Sequence, residues 1–303
     1  MKTILVPLDG SPFGEHALPA ALAIARQWSA QIKLLHVHEM VANTLSPAGT
    51  PFFDPDVDLA LCAHEQNYLA EVAARIAQVW GGPVEHTVLR GVVADAICTY
   101  AHEVDTGMIV LSTHGRGGLA RAWLGSVADR VIRQSQIPTL AIHPTDAPLQ
   151  LDQSPQFDHI LIPLDGTELA EQATNVVLQM RGSHAAHLDL VRVVEPLVHG
   201  FTLSGVEPVI DVEAQEQAWQ QATLYVEEVA VPLRAKGHVV MTYAPIGHIA
   251  NALLERAEKD GVALIAMTTH GRKGMARMFM GSVADKVLRS TTLPVLIYRP
   301  PDE

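Results

Sequence analysis

Cysteine is scarce in this sequence: Cys62 and Cys98 are the two in 303 residues, and they lack paired-ligand spacing. So few thiols point to a reducing compartment, and no disulfide is expected. Clustered positive charge is also missing. The formal net charge is −12, and no run of Lys and Arg offers a footprint for a polyanion, so nucleic acid is not an expected partner. No apolar run reaches the roughly 18 residues that a membrane-spanning helix needs. The chain goes directly into Thr3-Ile4-Leu5-Val6-Pro7-Leu8-Asp9 with no basic segment and small-residue cleavage site before it. The expectation is a cytoplasmic protein without membrane association. Charged residues make up only 18% against 48% hydrophobic, which argues against long disordered tracts. A Walker A sequence is absent, which argues against a P-loop ATPase.

What the chain does contain is a repeat. Ile4-Leu5-Val6-Pro7-Leu8-Asp9-Gly10-Ser11 returns as Ile160-Leu161-Ile162-Pro163-Leu164-Asp165-Gly166-Thr167, and Thr113-His114-Gly115-Arg116 with Gly125-Ser126-Val127-Ala128-Asp129 returns as Thr269-His270-Gly271-Arg272 with Gly281-Ser282-Val283-Ala284-Asp285. The shift is 156 residues in both cases (165 − 9 and 281 − 125), so each half is one whole structural unit. The expected domains are 1–148 and 156–303, joined by a linker containing Thr145-Asp146-Ala147-Pro148 and Gln153-Ser154-Pro155-Gln156.

In the first half, near-continuous apolar runs predict strands at Ile4 to Leu8, Ile32 to Val37, Val84 to Leu89, Met108 to Leu111 and Thr139 to Ile142. Three- and four-residue apolar spacing predicts helices at Ala17 to Trp28, Leu59 to Val79, Val93 to Val104 and Val127 to Gln134. Such alternation makes each half a doubly wound α/β domain, a five-stranded parallel sheet of order 3-2-1-4-5 with helices on both faces. Its ligand crevice falls at the switch point, between the carboxyl ends of the first and fourth strands. Asp9 and the loop from Ser112 to Gly118 meet there. The irregular segments Val41 to Asp58 and Pro196 to Asp211 are either covers for the pocket or variable surface connections.

The glycine-rich loop after strand four allows backbone amides close to a phosphate, and the helix starting near Ser126 adds unpaired amides and a positive dipole end. The alternative for Gly125-Ser126 is an ordinary helix start, with Ser126 and Asp129 as a capping box, as for Ser282 and Asp285. Gly115-Arg116-Gly117-Gly118-Leu119-Ala120 also fits a loose dinucleotide pattern, but it follows the wrong strand and Lys273 breaks it in the second half.

These motifs together resemble the universal stress proteins, over both halves nearly end to end. In ATP-binding members the loop reads glycine, two residues, glycine, nine residues, glycine and Ser or Thr. Nine residues separate Gly115 from Gly125 and Gly271 from Gly281, but the first glycine is replaced by Ser112 and Thr268. The resemblance implies a tandem universal stress protein that binds ATP, alone or with Mg2+, as a regulatory ligand in stress response or signalling. It implies Asp9 and Asp165 on the adenosine and the backbones of Val37 and Val193 on the adenine. Gly115, Gly125, Ser126, Gly271, Gly281 and Ser282 would contact ribose and phosphates, with Arg116 and Arg272 neutralising phosphate charge. Pro7, Val127, Pro163 and Val283 complete the implied set. It also implies pairing through the last strands, giving an internal pseudo-dimer and allowing a homodimer.

The same residues bear on other functions. A slow ATP hydrolase lacks an identified catalytic base, so no enzyme activity is expected, and an empty-site interaction scaffold is the further alternative. His114 and His270 are expected to stabilise loops, because no nucleophile elbow or Ser-His-Asp order accompanies them. His36 and His38 share a strand face but find Arg192 and Val194 at the same places in the second half. A structural role is expected for them, with no metal site. Met275, Met278 and Met280 are expected to pack. Thr268 is bulkier than Ser112, so the first half should bind ATP more tightly despite the added charge of Lys273.

Overall fold

The computed structural model describes residues 2–40, 42, 44–45, 49–114, 124–199, 209–269 and 280–300. The chain forms two compact units, Met1–Gln156 and Phe157–Glu303.

In the first unit, β1 (Thr3–Pro7) leads through a 3-10 turn at Gly14–Ala17 into α1 (Leu18–Trp28) and β2 (Gln31–His38). A short antiparallel hairpin of β3 (Thr44–Leu45) and β4 (Pro51–Phe52) follows, then α2 (Pro55–Val79), β5 (Val84–Arg90), α3 (Val93–Glu103), β6 (Thr106–Ser112), α4 (Ser126–Gln134) and β7 (Thr139–Ile142). β1 pairs with β2 and β6, β2 with β5, and β6 with β7, all parallel. The sheet order is therefore β5-β2-β1-β6-β7. Ile4, Leu5 and Val6 of β1 and Met108, Ile109 and Val110 of β6 are at most 1% exposed. Their unbroken apolar character follows from coverage on both sheet faces, and each buried side chain contributes roughly 1.5–3 kcal/mol.

The second unit repeats the pattern with β8 (His159–Pro163), α5 (Glu168–Arg181), β9 (His187–Val191), the hairpin β10 (Val198–His199) and β11 (Val209–Ile210), α6 (Val212–Ala235), β12 (Val239–Tyr243), α7 (Ile249–Lys259), β13 (Leu264–Thr268), α8 (Ser282–Ser290) and β14 (Val295–Tyr298). Its parallel pairings give the order β12-β9-β8-β13-β14.

Two local differences from the sequence reading have identifiable causes. α2 starts four residues before Leu59, because the Asp54 carboxylate accepts from the amides of Asp56 (2.9 Å) and Val57 (3.4 Å), and Pro55 occupies the first helical position. The segment from Val41 to Asp58 thus ends in a hairpin, a cap and the first helical turn. Residues 149–156, read as part of a linker, group with the first unit, where the Arg26 guanidinium bonds the Ser154 hydroxyl and the Val79 carbonyl.

Candidate functional site

The candidate site of each unit lies at the carboxyl ends of its two central strands. Asp9 follows β1, and the Ser11 amide (3.0 Å) and hydroxyl (2.6 Å) both donate to its Oδ1. The same hydroxyl accepts from the Gly14 amide at 3.1 Å, so the aspartate is locked to the turn that starts α1. A Cβ on Gly14 would stand 2.6 Å from Asp9 Oδ1, which accounts for the glycine. In the second unit the Thr167 amide (3.0 Å) and hydroxyl (2.6 Å) hold Asp165 Oδ1, and Thr167 caps α5 by accepting from the Ala170 amide at 3.2 Å. Pro7 and Pro163 are the last residues of their strands, placing both aspartates two residues beyond the sheet.

In each unit one valine, Val37 or Val193, faces that unit's own crevice through its backbone. In a parallel strand, successive residues direct their N–H and C=O to alternate neighbours. Leu35 accepts from the Leu8 amide at 2.8 Å on the β1 side, and His38 accepts from Gly91 at 3.2 Å on the β5 side. Val37 therefore turns its main-chain groups toward β1, past that strand's end. Val191 accepts from Leu164 (2.8 Å) and Val194 from Gly247 (2.9 Å), which gives Val193 the same orientation, although β9 has already ended.

Across the crevice, α4 and α8 begin at Ser126 and Ser282 with Gly125 and Gly281 as N-caps and no side-chain cap bond. The capping-box alternative fails here. Asp129 instead binds Arg133 through two contacts (2.8 and 2.9 Å), and Arg289 Nε reaches Asp285 at 3.0 Å. The leading amides, including those of Val127 and Val283, have no intrahelical acceptor by geometry. Ser126 and Ser282 are exposed, so each helix presents a positive dipole end with a hydroxyl beside it.

Thr113 fixes that helix end to the sheet. Its amide donates to the Ile142 carbonyl (2.9 Å), its carbonyl accepts from Gly125 (2.8 Å), and its hydroxyl lies between His114 Nδ1 (2.9 Å) and His143 Nδ1 (3.2 Å). Thr269 reproduces the backbone part, bonding the Tyr298 carbonyl (3.0 Å) and the Gly281 amide (2.7 Å). Burial, with a smaller contribution from His114, pushes the His143 pKa down to about 4, so this ring is neutral at pH 7. The Ser112 hydroxyl turns back onto the His114 carbonyl at 2.9 Å, whereas Thr268 is 7% exposed. Gly115, Arg116, His270, Gly271, Arg272, Met275 and Met278 lie outside the described residues.

A second layer escaped the sequence reading. Tyr68 donates to Glu15 (3.1 Å), which also binds Arg75 (2.7 Å), and Tyr225 donates to Glu171 (2.8 Å) under the Arg192 guanidinium (4.7 Å to the ring). Burial and then the paired glutamate raise the Tyr68 phenol pKa, with a further upward push from Asp9. The signal was available: Glu15 and Glu171 stand 156 residues apart, while Tyr68 and Tyr225 are offset by one more. An open depression of about 390 Å3 lined by Phe13, Glu15, Arg75 and Pro148 includes none of the candidate ligand residues.

His36 and His38 build structure. His36 Nδ1 donates to the Leu8 carbonyl (2.8 Å), and His38 lies between Asp58 (Nε2, 2.8 Å) and Glu65 (Nδ1, 2.9 Å). Burial disfavours the charge of His38, but its hydrogen bonds to Asp58 and Glu65 outweigh this and raise its pKa. Arg90 reaches the second oxygen of Asp58 at 3.0 Å.

Fold and site together define a tandem doubly wound α/β protein with one switch-point crevice per repeat. The chain belongs to the universal stress protein family, whose model matches residues 1–143 and again 156–299. A universal stress protein of Mycolicibacterium smegmatis is 26% identical, covering 98% of this chain and 97% of that protein. One from Mycobacterium tuberculosis is 30% identical over 200 residues, which span 63% of this chain and 61% of the relative's own length. A universal stress protein structure from Archaeoglobus fulgidus shares the fold with a TM-score of 0.68 at 21% identity, over 99% of this chain and 98% of that one. No helix among the described residues is long and apolar enough to cross a membrane.

Proposed function

We propose that each repeat binds ATP at its switch point as a regulatory ligand, in a protein of stress response or signalling. The observation that carries this reading is the duplication, at one sheet edge, of a locked aspartate, an outward-facing valine backbone and an uncapped helix N-terminus tied down through a glycine. These groups suit the three parts of a nucleotide. The carboxylate accepts from ribose hydroxyls, the valine N–H and C=O match the adenine edge, and the open helix amides receive phosphate. Gly115, Arg116, Gly271 and Arg272 would complete the phosphate side, with Mg2+ as a counter-ion. Binding proceeds without rapid turnover, since phosphoryl transfer to water also needs a group that positions or activates the water, and the sequence identifies none beside the phosphate loop.

Mass spectrometry of gently purified protein should detect retained ATP. Titration calorimetry should then show binding that Asp9→Ala and Asp165→Ala each diminish. Absence of ATP binding to protein freed of nucleotide would refute the proposal, and fast multiple-turnover hydrolysis would refute its regulatory part.

A further inference from the structure

The second repeat carries a polar group at the amino edge of its sheet, away from the crevice. His159 opens β8, His187 opens β9 beside it in register, and Asp189 follows two residues later, so the three side chains share one sheet face. The two imidazoles stack with centroids 4.0 Å apart and an interplanar angle of 0°. His159 Nε2 lies 3.0 Å from Asp189 Oδ2, and His187 Nε2 lies 3.4 Å from Asp189 Oδ1. Asp189 is 1% exposed, yet neither of its oxygens nor either Nε2 has a hydrogen-bond partner among the described residues. The distances are those of ion pairs, but the directions are not those of hydrogen bonds.

A buried carboxylate in this condition is costly unless a cation compensates it. Among the described residues no arginine or lysine forms an ion pair with Asp189, whose charged neighbours are the two histidines. A metal ion resolves all of this at once. Bonds of about 2.0–2.2 Å in a tetrahedral site place neighbouring ligand atoms about 3.3–3.6 Å apart. The 3.4 Å from His187 matches that spacing, the 3.0 Å from His159 to the other Asp189 oxygen is slightly shorter, and one ligand atom from each residue falls within 4.8 Å of the others.

We propose that His159, His187 and Asp189 bind one divalent transition-metal ion, zinc by donor preference, with the remaining position open to water. Two imidazoles and a carboxylate are the donor set of such ions, whereas Ca2+ and Mg2+ favour oxygen. The His187 side chain is 41% exposed at its outer edge, whereas its Nε2, like the other three candidate ligand atoms, is buried. The first repeat has Thr3, Gln31 and Lys33 at these positions, and there Gln31 donates to Thr3 at 2.8 Å while Lys33 pairs with Glu85. His38, Cys62 and Glu65 also converge, but both nitrogens of His38 are hydrogen-bonded to carboxylates, which closes that group to a metal.

The test uses full-length protein freed of metal by chelation and dialysis. Zn2+ titration by calorimetry should show one tight event per chain, and Co2+ should give visible d–d absorption. His159→Thr with His187→Gln, which installs the first repeat's pair, should abolish that event. Asp189→Asn should weaken it by more than the ~10–100-fold typical of losing an outer-shell partner. His64→Gln, at an exposed histidine elsewhere, should leave it unchanged. Absence of a stoichiometric event in the native chain, or an event that persists at native affinity in Asp189→Asn, overturns the proposal.

Discussion

Gly125→Ala separates a steric need for glycine from a conformational one. Its backbone, at φ −58° and ψ 144°, is open to alanine, so no dihedral penalty arises. The added Cβ would instead lie 3.0 Å from the Thr113 carbonyl oxygen, the atom that accepts the Gly125 amide at 2.8 Å. Ordinary close C···O contacts begin near 3.3 Å, so the two segments must part by about 0.3 Å. This weakens a hydrogen bond with a net contribution of about 0.5–1.5 kcal/mol and adds mild overpacking, for a total of about 1–2 kcal/mol. For a unit of this size the melting temperature should fall by roughly 2–8 °C. The start of α4 moves with the contact, and where phosphate binding must restore it at that same ~1–2 kcal/mol, ATP affinity in the first repeat falls by about 5–30-fold. Gly281→Ala should act alike, because its Cβ would meet the Thr269 carbonyl at the same 3.0 Å. Scanning calorimetry measures the first quantity and titration calorimetry the second. Unchanged melting refutes the steric argument, while lowered melting with unchanged affinity refutes the placement of phosphate at this helix end.

Other consequences can be measured on the same protein. His143 has a folded pKa near 4 against about 6.5 unfolded, so the unfolded chain binds the extra proton between those values and stability falls as pH drops through that window. Chemical denaturation at pH 7 and pH 5 should differ by about 1–2 kcal/mol more in the native chain than in His143→Gln. His38 has a raised pKa, so its contribution is full below the unfolded value and declines as pH rises through the folded one. His38→Gln, which removes the cation shared by Asp58 and Glu65 but leaves Arg90 on Asp58, should cost about 1.5–3 kcal/mol at pH 6 by denaturant titration. Two unequal ATP sites should appear in calorimetry, with Asp9→Ala removing the stronger and Thr268→Gly strengthening the weaker; an unchanged second site in folded Thr268→Gly would refute the role given to that side chain.

The elements most legible in the sequence were those whose periodicity reports burial. Ile4 to Leu8 and Met108 to Leu111 are continuous apolar runs because both sheet faces are covered, and they mark β1 and β6 within two residues at either end. The start of α2 was less legible because Asp54 and Pro55 act through geometry and not through hydrophobic pattern. Asp9 and Asp165 could be found through the repeat. Their locking by Ser11 and Thr167 depends on a turn whose side-chain directions no linear pattern records. Tyr68 and Tyr225 were hidden for a related reason. They come from the long helices α2 and α6, and one residue of difference in the intervening chain breaks their register with the rest of the repeat.

The comparison between repeats also separates kinds of function within one molecule. At the carboxyl edge, side chains have diverged while the bonds persist: Ser11 and Thr167 make the same two contacts, and Thr113 and Thr269 tie the same glycines although His143 is replaced by Arg299. A duplicated requirement of that kind fits a ligand common to both units. At the amino edge, the second unit replaces a satisfied Thr3–Gln31 hydrogen bond with two stacked imidazoles and a buried carboxylate whose polar atoms meet without aligned bonds. Packing alone gives no reason to accept that cost, because the first unit builds the same strand pair without it. Among the described residues the chemistry that would compensate it is found in the second repeat and not in the first, so this chain's two halves are not interchangeable copies even though their strands follow the same order.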